Sequence, residues 1–250
     1  MSYFKKTVRP AFKLAAALGL GALSAFAADP TSSPLAAAQK ATTPQQALEK
    51  LISGNARFIA GQGSHRDLYA QVRATSAGQY PVASVLTCLD SRTSPEYLFD
   101  LDIGDAFAAR VAGNFINEDI LGSFEFAHKA AGAKLIVILG HTACGAVKGA
   151  CDNVELGNLT GVLYKIRPAL TAVKNDGTPR NSKNSAFVEK VAAANVRLNI
   201  EKVRERSPVL AAMLDSGEIG LVGGMYDLAT GKVTFYPDTA VNVKVPTTGS

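Results

Sequence analysis

With 250 residues, 47% of them hydrophobic, the chain is long enough to build one domain around a substantial core. Its formal charge of +5 is concentrated at the start: the first 27 residues carry four of the 26 Lys and Arg and none of the 21 acids, leaving 22 bases against 21 acids, or +1. That near-balance excludes an electrostatic case for nucleic acid or an anionic membrane surface as partner.

The chain opens on a basic stretch (Lys5, Lys6, Arg9, Lys13), an apolar run from Leu14 to Ser24, and Ala25-Phe26-Ala27. This order reads as a secretory signal peptide over 1–27, cleaved after an A-x-A site and too short in its apolar part to span a bilayer. The mature protein is then exported, to the periplasm, with no membrane association after cleavage. Residues 28–44, rich in Ala, Ser, Thr and Pro without apolar periodicity, read as a flexible lead-in. A single domain is expected over 45–245.

From Pro44 the spacing of Ala47, Leu48, Leu51, Ile52 and Phe58 predicts a helix, and a shorter one follows over about 67–77. Val82 to Thr87 reads as a buried strand and Ala106 to Val111 as a second. A helix over about 119–131 places Ile120, Phe124, Ala127 and Ala131 on one face, with Gly132 as its stop, and leaves His128 on its surface. Leu135 to Leu139 is the third strand, and a helix begins near Cys144. Polar loops at 151–160 and 175–185 flank a helix bearing Val162, Leu163, Ile166 and Leu170. A long amphipathic helix covers Ser185 to Arg206, interrupted at Pro208 before a last turn to Gly217. Ile219 to Gly223 is the fourth parallel strand, and Lys232 to Tyr236 an antiparallel edge strand. The alternation of strands and helices predicts an α/β fold, a mainly parallel sheet of four strands plus that antiparallel edge strand, flanked by helices.

Two strand ends carry the chemistry: Cys88-Leu-Asp90-Ser91-Arg92 after the first strand, and His141-Thr-Ala-Cys144 after the third. Ligands of open parallel sheets gather outside the carboxyl ends of strands, so these stretches meet at one rim if the strands are neighbours. Two thiolates and an imidazole suit zinc, and three protein ligands leave a fourth position open, the arrangement of a catalytic site. Three cysteines are an odd number for an exported chain and a poor disulfide framework. Cys144 and Cys151 on one helix would be about 10.5 Å apart in rise, beyond the roughly 7 Å a disulfide allows, so Cys151 reads as a buried small hydrophobe. Gly140 to Gly145 is no phosphate loop, because Ala146 stands where that motif needs Lys. His65, beside Gly63 and Ser64, reads as a solvent-facing loop residue.

These motifs, with Gln79 and Pro81, Gly104 to Phe107, Arg110 to Asn114, and Tyr226 to Gly231, resemble the beta-class carbonic anhydrases from about Ala47 to Phe235. The resemblance implies a lyase with one Zn(2+) per chain on Cys88, His141 and Cys144. Its substrate pair is carbon dioxide and bicarbonate, interconverted by a zinc-bound hydroxide that Asp90 and Arg92 orient. It makes Asp90 an alternative zinc ligand and places Gln79, Phe107 and Gly145 around the substrate. The first two often come from a neighbouring protomer, so a homodimer or dimer of dimers is expected. Phe126 departs from the family where many members carry a pocket tyrosine. Two further readings use the same ligands: hydrolysis of carbon disulfide or carbonyl sulfide on this fold, and non-enzymatic zinc binding. The Asp90–Arg92 pair counts against the latter.

Overall fold

The computed structural model describes residues 34–246. The signal peptide and the first part of the lead-in therefore lie outside the described residues. Within the lead-in, helix α1 (Pro34–Ala41) forms where the sequence shows no apolar periodicity. None of its residues is buried. It is fastened instead by a side chain, Gln39, whose Nε2 donates to the carbonyls of Pro81 and Ala131 at 2.7 and 2.8 Å.

Helix α2 (Pro44–Ile59) starts at a capping box, in which the Thr43 hydroxyl accepts from the Gln46 N–H and the Gln46 side chain accepts from the Thr43 N–H. Its apolar stripe buries Ala47, Leu48 and Leu51. Gly54 is required on that stripe, since a Cβ there would lie 1.8 Å from the carbonyl oxygen of Phe99. Helix α3 (Leu68–Thr75) leads into strand β1 (Ala83–Thr87); α4 (Pro95–Leu98) precedes β2 (Ala106–Arg110). Helix α5 (Glu118–Glu125) leads toward β3 (Leu135–His141), and α6 (Gly145–Cys151), α7 (Gly157–Tyr164) and α8 (Arg167–Ala172) follow. Helices α9 (Ser185–Arg206) and α10 (Pro208–Asp215) precede β4 (Gly220–Tyr226) and β5 (Val233–Phe235).

The strands form one sheet in the order β2-β1-β3-β4-β5. The first four run parallel and β5 runs antiparallel to β4, as the sequence predicts. Every residue of β1 and β3 is buried, which is why both read as largely apolar runs without a charge. Their side chains alternate. Val85, Leu135, Val137 and Leu139 pack with Leu48 and Leu51 of α2 on one face, while Leu86, Ile136 and Ile138 meet Val196 and Val203 of α9 on the other. From β1 the chain moves outward to β2, then crosses back to β3 and on to β4. The reversal between β1 and β3 is the topological switch point, where a crevice opens at the strands' carboxyl ends.

Two expectations are corrected. The helix bearing Val162 to Leu170 is broken into α7 and α8, because Pro168 opens α8 and cannot donate to a carbonyl four residues back. The helix over 119–131 ends in a π-helical turn, Phe126–Ala130, closed by Ala131 N–H to the Phe126 carbonyl. His128 sits in that turn, 2% exposed rather than on the surface. Its Nδ1–H donates to the Ala133 carbonyl at 2.9 Å, so Nε2 accepts from the Ser84 hydroxyl of β1 at 2.7 Å. The Phe124 ring lies nearly perpendicular to the imidazole, with centroids 6.3 Å apart. With both ring nitrogens satisfied, a neutral histidine is tolerated in the core.

Candidate metal centre at the switch point

Pairing of β1 with β3 sets Leu86 opposite Ile138, which brings Cys88 and His141 to the same rim. Cys144 joins them through a tight turn that places Ala143 at φ 53°. The turn is held by the Ala143 N–H to Glu189 of α9 at 2.9 Å, and by the Thr142 N–H to the Tyr226 carbonyl of β4 at 2.9 Å. The ligand atoms of Cys88, His141 and Cys144 all lie within 4.8 Å of one another, and all three residues are buried.

The donor set fits zinc. Cys88 Sγ and Cys144 Sγ are 4.0 Å apart. Two thiolates at about 2.3 Å from a tetrahedral zinc would stand about 3.8 Å apart. His141 Nδ1–H donates to the Thr142 carbonyl at 2.9 Å, which fixes the tautomer and leaves the Nε2 lone pair free. That Nε2 is buried with no hydrogen-bond partner; among the described residues, Asn114 Nδ2 is the other such side-chain atom. An orphaned imidazole nitrogen between two thiols is the expected signature of a metal ligand. The thiols titrate as a pair. The hydrogen bond from Cys144 draws Cys88 well below the usual thiol range, against burial and helped by the Gly113 N–H. The same bond, with burial, pushes Cys144 up. One thiolate therefore forms readily, and a cation at the site would displace the second proton.

Asp90 stands outside this cluster. Its Oδ1 accepts from Arg92 Nε at 2.9 Å and from the Arg92 N–H at 3.1 Å, and its Oδ2 accepts from Arg92 Nη2 at 2.8 Å. The guanidinium holds the carboxyl well below its usual range, against the opposing effect of partial burial. The turn carrying both residues is fixed from behind. Thr93 Oγ1 donates to the carbonyls of Cys88 and Asp90, each at 2.9 Å. Arg110 of β2 reaches the Cys88 carbonyl at 3.1 Å and also bonds the Asp90 carbonyl.

The remaining predicted site residues divide. Gly145, exposed, adjoins Cys144 at the start of α6, and no heavy atom lies within 4 Å of where a Cβ would stand. Gln79 and Phe107 are not brought to the cluster. Phe107 pairs with Ser84, four residues before Cys88, or about 13 Å down the strand. It packs edge-on against Phe126 at 6.1 Å beside an open recess of about 710 Å³. Phe126 is 56% exposed there. Gln79 is exposed before β1. Cys151 is buried and its thiol is pushed up to about 11 by burial, as an inert core cysteine should be. His65 is exposed. Thr93, Glu189, Asn195 and Asn199 support the site without belonging to either strand-end motif. Only the two asparagines leave a signal in the sequence, as amides four residues apart on the apolar stripe of α9.

The sequence profile of a family described as "Carbonic anhydrase" matches residues 83–233. Carbonic anhydrase 2 of Mycobacterium tuberculosis is 34% identical over 76% of this chain and 92% of its own. The carbonic anhydrase of Mycolicibacterium smegmatis is 34% identical over 77% and 93%. Among solved structures, the Coccomyxa beta-carbonic anhydrase in complex with acetazolamide is 25% identical, with a TM-score of 0.59 over 66% of this chain and 76% of that one. Structures described as tetrameric beta-carbonic anhydrases from Sordaria macrospora share the fold at 22% identity, with a TM-score of 0.56 over 67% and 89%. With the thiol–imidazole cluster at the switch point and the carboxylate–guanidinium pair beside it, these likenesses agree on one assignment: the chain belongs to the beta-class carbonic anhydrases.

Proposed function

We propose that Cys88, His141 and Cys144 hold one zinc ion per chain, and that Asp90 and Arg92 aim the nucleophile in the reversible hydration of carbon dioxide. The observation that carries this reading is the buried, unpartnered His141 Nε2 beside two thiols 4.0 Å apart. Zinc, when bound, lowers the pKa of a coordinated water to about 7 and so supplies a nucleophile at neutral pH. The protein's own residues do the rest. Asp90, kept ionised, accepts the proton of the attacking oxygen in a hydrogen bond and turns its lone pair toward the carbon. Arg92 occupies both carboxylate oxygens and so denies Asp90 other orientations. Gly145 leaves room beside Cys144 for a small substrate.

The proposed active unit is a homodimer or a dimer of dimers. Gln79 and Phe107 lie far down the strands from their own chain's cluster, while β2 is an edge strand bordered by the Phe107–Phe126 recess. A second copy meeting that edge would receive them, and the Sordaria relatives are tetrameric. The proposed compartment is the periplasm, on the basic, apolar, A-x-A order of residues 1–27. Native mass spectrometry of exported protein, followed by stopped-flow assay of the same sample, tests the whole reading. The expected result is an even-numbered oligomer of chains beginning at Ala28, with hydration lost on chelation and restored by zinc. Retained Met1 would refute export, monomers of full activity would refute the shared site, and chelated protein at the parent rate would refute the metal.

A further inference from the structure

The rim carries a second layer of polar contacts that the reaction as described does not use. The loop leaving β2 bends at Gly113, φ 80°, where a Cβ would stand 2.4 Å from Ile166 Cδ1. In this bend the Gly113 N–H donates to Cys88 Sγ at 3.4 Å. The loop is clasped from α9 at two points. Asn195 Nδ2 donates to the Gly113 carbonyl at 2.8 Å, and Asn199 Oδ1 accepts from the Ile116 N–H at 2.8 Å. Asn199 also steadies its neighbour, donating to the Asn195 carbonyl at 2.7 Å and to Asn195 Oδ1 at 3.1 Å.

Both asparagines are essentially inaccessible, 2% and 0% exposed, on an otherwise apolar stripe that includes Val191, Val196, Ile200 and Val203. An amide in such a place is costly unless its hydrogen bonds are made. Here one bond of each asparagine runs to the loop whose N–H faces a metal-ligating sulfur, and two further Asn199 bonds tie the two residues together.

We propose that Asn195, backed by Asn199, is a positioning residue for the metal centre: it holds Gly113 by its carbonyl, and so fixes the bend in which the N–H of the same residue stays on Cys88 Sγ. This rests on the zinc reading above. An N–H on a thiolate withdraws charge from the sulfur and fixes its direction. It thereby tunes how strongly that sulfur donates to the metal and how firmly it retains it. Loop clasping alone, without this role, would contribute only stability.

Cobalt(II) in place of zinc distinguishes the two, because the sulfur-to-cobalt charge-transfer absorption reports electron density at the thiolates. In Asn195→Ala the band should move to longer wavelength, since an unbonded thiolate gives up charge more easily. Zinc should pass to a chelator on the order of 10-fold faster. Asn199→Ala should move both readouts in the same direction. Asn55 of α2 provides the control: it too is a buried amide, donating to the Leu98 and Gly231 carbonyls at 2.9 Å, but it belongs to the opposite face. Asn55→Ala should lower Tm and leave the band in place. If Asn195→Ala does not fold, Asn195→Ser shortens the side chain while leaving a hydroxyl that water can satisfy, and should show the same shift. A folded Asn195 variant with the parent's band and metal retention overturns the proposal. A parent protein that takes up cobalt without any thiolate band overturns the metal reading instead.

Discussion

Asp90→Asn is expected to keep its zinc and lose carbon dioxide hydration on the order of 100-fold, the scale of loss that follows from a slightly misaimed nucleophile. The carboxylate only accepts hydrogen bonds, and both of its oxygens are held by Arg92. An amide of the same shape presents an N–H on one side, which faces either the guanidinium or the attacking oxygen. In the first case the pair is broken; in the second the lone pair that should attack is engaged. Arg92→Ala should act in the same direction and cost more stability, because it strands a carboxylate whose side chain is only 17% exposed. If the hydrogen-bonded pair acts as one unit, as proposed, the double variant should be less impaired than the product of the single effects. Stopped-flow assays on samples of equal zinc content decide it; a zinc-replete Asp90→Asn at the parent rate would show that the pair does not aim the nucleophile.

Cys144→Ser should lose most of its zinc, and with it all measurable hydration. Four-ligand zinc sites hold their metal by about 10–16 kcal/mol at neutral pH, or about 3 kcal/mol per ligand. Exchanging a thiolate for a neutral hydroxyl should therefore weaken retention by more than about 100-fold. Cys151→Ser is the matched comparison, since that thiol is buried in the same cluster of side chains yet has no part in the metal group. Metal analysis of both after dialysis gives the answer. Zinc kept by Cys144→Ser, or lost by Cys151→Ser, would reassign the ligands.

Much of the fold and of the cluster is legible in the amino-acid sequence. The strands β1 and β3 announce themselves because burial on both faces leaves few polar positions and no charge, and α9 because its amphipathic pattern runs unbroken from Ser185 until Pro208 interrupts it. The cluster was legible because the switch-point rule turns two strand ends into one place. What escaped depends on partners remote in sequence. His128 reads as surface because its polarity is local, while the Ser84 hydroxyl that permits its burial lies 44 residues away. Asn195 gave a sign in its position among valines, but the loop it clasps lies 82 residues earlier. Gln79 and Phe107 are a different case: one chain holds them far from its own cluster, so no reading of a single chain can join them to it.

The imidazole in the π-helical turn sets an acid limit on the fold. Removed from water, His128 has its pKa lowered from 6.5 to about 4, with nearby Lys134 adding to the effect. Above about pH 6.5 the ring is neutral in folded and unfolded chains alike and has no influence. As pH falls below that, the unfolded chain takes up a proton that the folded one refuses, so stability drains away until about pH 4, by about 3 kcal/mol in all. That is a sizeable share of the 5–15 kcal/mol typical of a domain. In His128→Gln, less stable at neutral pH, this loss should be absent, so the Tm gap between variant and parent should narrow as pH is lowered from 7 to 4. A gap of constant width would refute the assignment. Hydration of carbon dioxide to bicarbonate releases a proton, and the imidazole behind β1 bears on how much of that acidity the sheet can withstand.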